Sequence, residues 1–252
     1  MKRLERIVLP LFLGAVLLLL WHVAVRLTGT KIFPSPTDVL RGIVTLMERG
    51  ILWSYIRDSL FRVGTGYGLA VIIGIPLGIC LGWYPQLGAA ANPVIQMLRP
   101  ISPLAWMPLA VIWFGVSNAA PIFLIFLASL FPLLVAAMHG VRNVPPMYLQ
   151  AGRNFGLTAS QLMRRVVFPA LLPRILVALR IAFGIAWIVL VASEMIAVDS
   201  GLGYLIIDAR NAGRRYDLVV GGMLIIGLLG LAFDVLFRLA ERIRSVEWAF
   251  RD

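Results

Sequence analysis

Lysine, cysteine, histidine and charge in general are scarce in this 252-residue chain. Lys2 and Lys31 are the only lysines. Lys31 is followed by Ile32 and lacks the upstream glycine spacing that wraps a phosphate, so the chain cannot be a P-loop ATPase on its own. The single cysteine, Cys80, lies inside an apolar run, which excludes an internal disulfide and a thiol-based metal cluster. His22 and His139 lie in or beside different apolar runs, with no second ligand at metal-binding spacing. A Gly-x-Ser-x-Gly elbow, a His-Glu-x-x-His helix and paired carboxylates within apolar runs are all missing. No catalytic or metal site is expected, and an enzyme is disfavoured.

What is abundant is apolar surface. Hydrophobic residues make up 60% of the chain and charged residues 14%, whereas soluble domains run closer to half and a quarter. The same numbers exclude disorder, because so much apolar surface would not stay solvated. The formal net charge of +11 would ordinarily suggest nucleic acid. Here the basic residues sit between long apolar runs, which points to a membrane protein with basic loops against an anionic leaflet and no nucleic-acid partner.

A helix needs roughly 20 apolar residues to cross a hydrocarbon core of ~30 Å. Six runs qualify: Ile7 to Val25, Val63 to Trp83, Leu87 to Trp113, Pro121 to Val141, Ile175 to Val198 and Val219 to Leu239. The first could serve as a signal peptide, but it is long and no clean small-residue cleavage site follows, so a retained helix is expected. Between the first two runs, Phe33-Pro34-Ser35-Pro36-Thr37-Asp38 has turn chemistry, and Val39, Ile43 and Leu46 share one face of a short surface helix. The second run carries Gly74, Gly78 and Gly82 at four-residue intervals, with Gly64 and Gly68 before them, a stripe that lets helix backbones approach closely. The third run contains Pro93, Arg99, Pro100, Pro103 and Pro108. Lipid does not tolerate so many missing backbone donors, so this break must be buried in protein or line a cavity. Pro132 predicts a kink in the fourth run.

Placing the N-terminus in the cytoplasm and counting Arg99 with the inner loops puts 14 of the 23 basic residues inside and nine outside. N-terminus and C-terminus inside is therefore the favoured orientation. Charges within the runs are few. Asp234 and Arg238 stand four apart, acid first, as a helical ion pair requires. Arg180 is close enough to a run's end to snorkel. Glu194, three-quarters of the way through the fifth run, either lines a pathway or gate or caps a helix near the outer interface.

The stretch from Arg142 to Arg174 is the most polar long segment and carries five arginines. Its core, Tyr148 to Pro173, has a glycine between two short helical stretches and ends in Pro169 and Pro173. It is either a docking loop for a soluble partner or a surface-lying helical hairpin.

This segment resembles the signature of permease subunits of type I ATP-binding-cassette importers: Glu-Ala-Ala, three residues, Gly, nine residues, then Ile-x-Leu-Pro. The chain supplies Gln150, Ala151, Gly152, Gly156, Val166, Phe168 and Pro169. Ala151, Gly156 and Pro169 match, whereas Gln150 replaces the usual Glu and Gly152 the second Ala. Leu179-Arg180, Gly184-x-x-Trp187, Ser193-Glu194-Met195, Gly201-Leu202-Gly203-Tyr204 and Ser102-Pro103-Leu104-Ala105-Trp106-Met107-Pro108 are similar to the nitrate, sulfonate and taurine permease group.

The resemblance implies an all-α membrane protein with six transmembrane helices and the type I importer permease fold. It implies an N-terminal helix and external amphipathic segment over 1–58, a permease core over 59–240 with a cytoplasmic coupling loop at 142–174, and a tail at 241–252. It assigns Gln150, Ala151, Gly152, Gly156, Phe168 and Pro169 to coupling with an ATPase. Ser102, Pro103, Trp106, Met107 and Glu194 become candidates for the pathway or gate. The implied partners are a second copy of the chain, two ATPase subunits that bind ATP and Mg, an external solute-binding protein and the bilayer of a bacterial inner membrane; this chain itself binds no cofactor. The implied solute is a small oxyanion such as nitrate, a sulfonate or taurine. An ion-coupled secondary transporter or a channel using the same broken helix is the alternative.

Overall fold

The computed structural model describes residues 2–28 and 34–241. Lys31, Phe33 and the expected tail from residue 242 onward, with Arg242, Arg244 and Arg251 of the inside charge set, lie outside the described residues. Every regular element among the described residues is helical. Helix α1 spans Lys2–Thr28 and exposes most of its described side chains. Helix α2 spans Pro36–Glu48, opened by a capping box in which Ser35 and Asp38 bond each other's backbone N–H. It buries Val39 and Leu46 as the periodicity predicts.

Helix α3, Ile51–Trp83, starts well before the expected boundary at Val63 and runs unbroken past residues 58 and 59. At 1.5 Å per residue its 33 residues reach ~50 Å, more than the hydrocarbon core requires. Helices α4 (Pro85–Leu98) and α5 (Met107–Phe114) form the broken span, joined by a 3₁₀ turn at Pro103–Trp106 and bent by 80°. Pro100 and Pro103 supply no N–H across that bend; Ser102, before Pro103, has left the helical region at ψ 130°, whereas Arg99, before Pro100, keeps helical angles. Helix α6 (Ala119–Arg142) continues through Pro132 without interruption. Helices α7 (Pro146–Asn154) and α8 (Ala159–Leu162) form the hairpin of the 142–174 loop. A π turn at Met163–Val167 feeds helix α9, Phe168–Ala197, with the N–H of Phe168 reaching back to the carbonyl of Met163. Helices α10 (Leu202–Gly213) and α11 (Tyr216–Glu241) complete the described residues.

Among the described residues, four helices are long and apolar enough to cross a membrane, and the bent α4–α5 pair makes a fifth crossing if taken as one span. The sixth expected span falls on α1, whose described apolar stretch, Phe12–Leu27, is shorter than that standard. Arg99 stands at the bend inside the broken span rather than in a loop, and Arg62 is buried, so neither behaves as the loop charge assumed in the orientation count.

The axis of the fold is the seam between α3 and α6, which run parallel. Gly66 faces Ile122 and Ile125, Gly74 faces Leu130, Gly78 faces Leu134 and Gly82 faces Met138. A Cβ at Gly66 or Gly82 would lie 2.7 Å from the carbonyl oxygen of Ile122 or Met138, and one at Gly78 would strike that of Leu134. The stripe is therefore Gly66, Ala70, Gly74, Gly78 and Gly82 at one position in four. Gly64 and Gly68, expected as its start, have no such neighbour within 4 Å and belong to another face. Helix α9 packs against α6 and also meets α3, where the Tyr67 hydroxyl donates to the Leu179 carbonyl, and the shared core holds Val63, Leu124, Ala186 and Leu190.

Replacing Gly78 with Leu should separate α3 from α6 and lower stability in detergent by at least about 1–3 kcal/mol, the range for overpacking. Gly68→Ala, inside the helix with open space at its Cβ, is expected to leave the melting temperature unchanged or slightly raised. Equal melting of the Gly78→Leu protein and wild type would contradict the seam.

Candidate functional site

Three features bring together residues that carry charge, polarity or exposed apolar surface. The first is the loop hairpin. Gly152 on α7 packs so closely on α8 that a Cβ there would lie 2.5 Å from Leu162 Cδ1. The space an alanine methyl would take in the resembled signature is here filled by the Leu162 side chain. Thr158 caps α8 and forms a capping box with Gln161. The turn between them is made by Gly156 at φ +74°, in the left-handed region that favours glycine. Phe155 just before it is 87% exposed, an apolar tip at the turn of the hairpin. Gln150 and Ala151 are exposed on α7, and Phe168 and Pro169 are exposed at the start of α9, beyond the packed part of the hairpin. At the base of the hairpin, a cavity of about 890 Å³ is lined by Trp83, Tyr84, Arg142, Leu149 and Arg153.

The second feature is a cavity of about 320 Å³ beside the bend of the broken span. Arg99, Ile101, Pro103 and Trp106 face it from the span, Leu127 to Pro132 from α6 and Ile185 from α9. Ser102 is exposed at the same bend. The structure separates the two residues expected as a gate. Trp106 lines this cavity, whereas Met107 is only 6% exposed and packs in the core that contains Leu124 and Ala186.

The third is a buried polar cluster at the opposite end of the spans from the loop. Glu194 is fully buried, and Arg62 is 1% exposed. Arg62 Nη1 donates to Glu194 Oε1 at 2.7 Å and to the Ser200 carbonyl at 2.7 Å. Its Nη2 donates to Ser200 Oγ at 2.6 Å and its Nε to Asn118 Oδ1 at 2.8 Å. Ser59 Oγ donates to the Glu194 carboxylate at 2.8 Å and accepts from the N–H of Leu202 at 2.9 Å. The N–H of Gly203 reaches Glu194 Oε2 at 3.0 Å. Glu194 is thus part of a closed network joining α3, α9, the start of α10 and the residue before α6. Gly201, at φ +104°, lies so near the ion pair that a Cβ would sit 2.5 Å from Glu194 Cδ and 2.6 Å from Arg62 Nη1.

Glu194 and the glycines of this cluster stood out in the sequence; Ser59, Arg62, Asn118 and Ser200 did not. One signal was available. Glu194 is the only acid between Asp58 and Asp199, so a carboxylate buried there needs a cation. Asp234 accepts from Arg238 at 2.8 Å, the expected pair, and also from Arg180 at 2.7 Å across helices.

The described residues thus form a helical bundle with spans long enough to cross a membrane, one broken span and a hairpin of short helices at one end. Residues 70–245 match the family of binding-protein-dependent transport system inner membrane components, and the chain belongs to that family. It is 34% identical over 244 residues to the taurine transport system permease protein TauC of Escherichia coli (94% of this chain, 87% of that protein). It is 33% identical over 246 residues to the bicarbonate transport system permease protein CmpB of Synechococcus elongatus (92% of this chain, 87% of that protein). The fold is that of the methionine ABC transporter MetNI in an inward-facing conformation, with TM-score 0.61 and 18% identity over 76% of this chain and 97% of that one. The chain is the multi-pass permease subunit of an ATP-binding-cassette importer, which works with ATPase subunits and a solute-binding protein.

Removing either partner of the buried pair, by Arg62→Met or Glu194→Met, should cost about 3–5 kcal/mol, because the remaining charge is stranded. The double replacement should recover most of that loss. Thermal unfolding in detergent checks this, and a single variant as stable as wild type would contradict it. In a Cys80→Ser background, Trp106→Cys should react with a water-soluble thiol reagent and Met107→Cys should not. Equal labelling at the two positions would contradict their placement.

Proposed function

We propose that the chain lines half of a translocation pathway for a small oxyanion and works as a homodimer with two ATPases and one external binding protein. ATP and Mg are held by the ATPases. The 142–174 loop, both termini and the partner ATPases share the cytoplasmic side of a bacterial inner membrane. The solute class is supported by relatives named for taurine and bicarbonate, each carrying an oxyanion group. It is also supported by the stretch from Ser59 to Ser193, which contains no Asp or Glu. The pathway passes beside the bend where Ser102, Pro103 and Trp106 gather, with Met107 and Glu194 holding its walls from within.

The observation that carries the coupling role is the exposed tip at Phe155 and Gly156. A large apolar side chain held in water by a capped hairpin is stabilised when a partner covers it. Gln150, Ala151 and Gly152 shape the helix behind the tip. Arg153, Arg164 and Arg165 are exposed around the loop, so the facing groove of the ATPase carries carboxylates. Closure of the two ATPases on ATP then moves the hairpin. Phe168 and Pro169, at the start of α9, pass that motion into the bundle and alternate the access of the pathway.

Gly156→Trp strains the turn at φ +74° but lies in the exposed loop outside the long spans, so it should leave the permease inserted and abolish coupled uptake. Wild-type solute-stimulated ATP hydrolysis in that variant would sink the docking assignment.

A further inference from the structure

The arginines within the membrane bundle are handled in contrasting ways. Arg62 is saturated by Glu194, Ser200 and Asn118, and Arg180 shares Asp234 with Arg238. Arg99 differs from both: no described residue gives it a carboxylate or carbonyl partner. No acid occurs between Asp58 and Glu194, and Glu194 is committed to Arg62.

Its position is deep. Helix α4 has 14 residues, about 21 Å of axis, between the loop end of the bundle and Arg99. The cavity beside Arg99 is bounded by Leu127 to Pro132 in the middle of α6 and by Ile185 in the middle of α9. A guanidinium within the ~30 Å core is costly unless it meets water or a counter-ion, and such residues mark ion and solute routes. Broken spans serve the same purpose, because their backbone irregularity is tolerated where it lines a cavity.

We propose that Arg99 is the anion-selecting residue of the pathway, presenting its guanidinium to the passing solute in the mid-membrane cavity beside Trp106. The solute it suits is a small oxyanion, whose oxygens match the planar donor fork. One guanidinium per protomer, facing walls without carboxylates, attracts an anion and repels a cation without trapping what it attracts. Arg99 is thus a specificity residue, distinct from the structural role of Arg62.

This inference rests on the bend being a solute path, so its test must not depend on ATPase coupling or on knowing the solute. The probes are two methanethiosulfonate reagents of similar size, one bearing ethylsulfonate and one ethyltrimethylammonium. They are applied to the full-length Ile101→Cys protein in a Cys80→Ser background, reconstituted with its ATPases. Relative to a free thiol, the anionic reagent should react about ten-fold faster than the cationic one, the ratio expected of a nearby charge at intermediate dielectric. Adding Arg99→Gln should bring the ratio close to one, and Arg99→Lys should keep most of it. A ratio near one with Arg99 intact, a ratio unmoved by Arg99→Gln, or no modification in any nucleotide state would overturn the proposal. Loss of binding-protein-stimulated ATP hydrolysis on mutating Gly156, by contrast, bears on the docking loop and leaves this ratio unchanged.

Discussion

The contact between α3 and α6 is the constraint from which the remaining architecture follows. Lipid tails are as apolar as leucine, so two helices in a bilayer gain little from hiding hydrophobic surface and associate through close packing. Here the packing brings backbone against backbone, with Gly66, Gly74, Gly78 and Gly82 leaving room for the carbonyls of α6. The two helices are parallel, so the intervening chain must return across the bilayer before α6 can begin. Residues 85–114 make that return, and they do it as two short helices bent by 80°. A straight helix would cross without leaving space beside α6; the bend opens the cavity at Arg99.

Polar groups inside the bundle follow a consistent division. At one end Arg62, Ser59 and Glu194 satisfy one another and the backbone at the start of α10, and a network so completely bonded rigidifies what it joins. Toward the other end Asp234 holds Arg180 and Arg238 together, linking α9 to α11. Between these ties the cavity at the bend has a cation and no acid. Arg99 thus stands between two ion-paired ties, at the bend where the pathway is proposed.

Much of this was legible in the sequence. Composition gave the membrane, apolar runs located the long helices, and the i, i+4 spacing of Asp234 and Arg238 gave their pair. The loop glycine at 156 was readable because the left-handed turn it makes is a local requirement. The parts that escaped depend on contacts distant in sequence. Val63 looked like the start of a span because Ser59 and Arg62 read as polar surface, and only Glu194, 132 residues further on, makes their burial acceptable. The stripe was seen with the right period but the wrong beginning: Gly64 and Gly68 share the spacing, yet the face is fixed by α6. Trp106 and Met107 are adjacent and both apolar, and only the 3₁₀ turn decides which one faces the cavity.

The Arg62–Glu194 pair also orders events in time. Arg62 is synthesised long before its counter-charge, and no other acid emerges in between. The network that fixes the outer part of α3 can therefore close only once α9 and the start of α10 have been made.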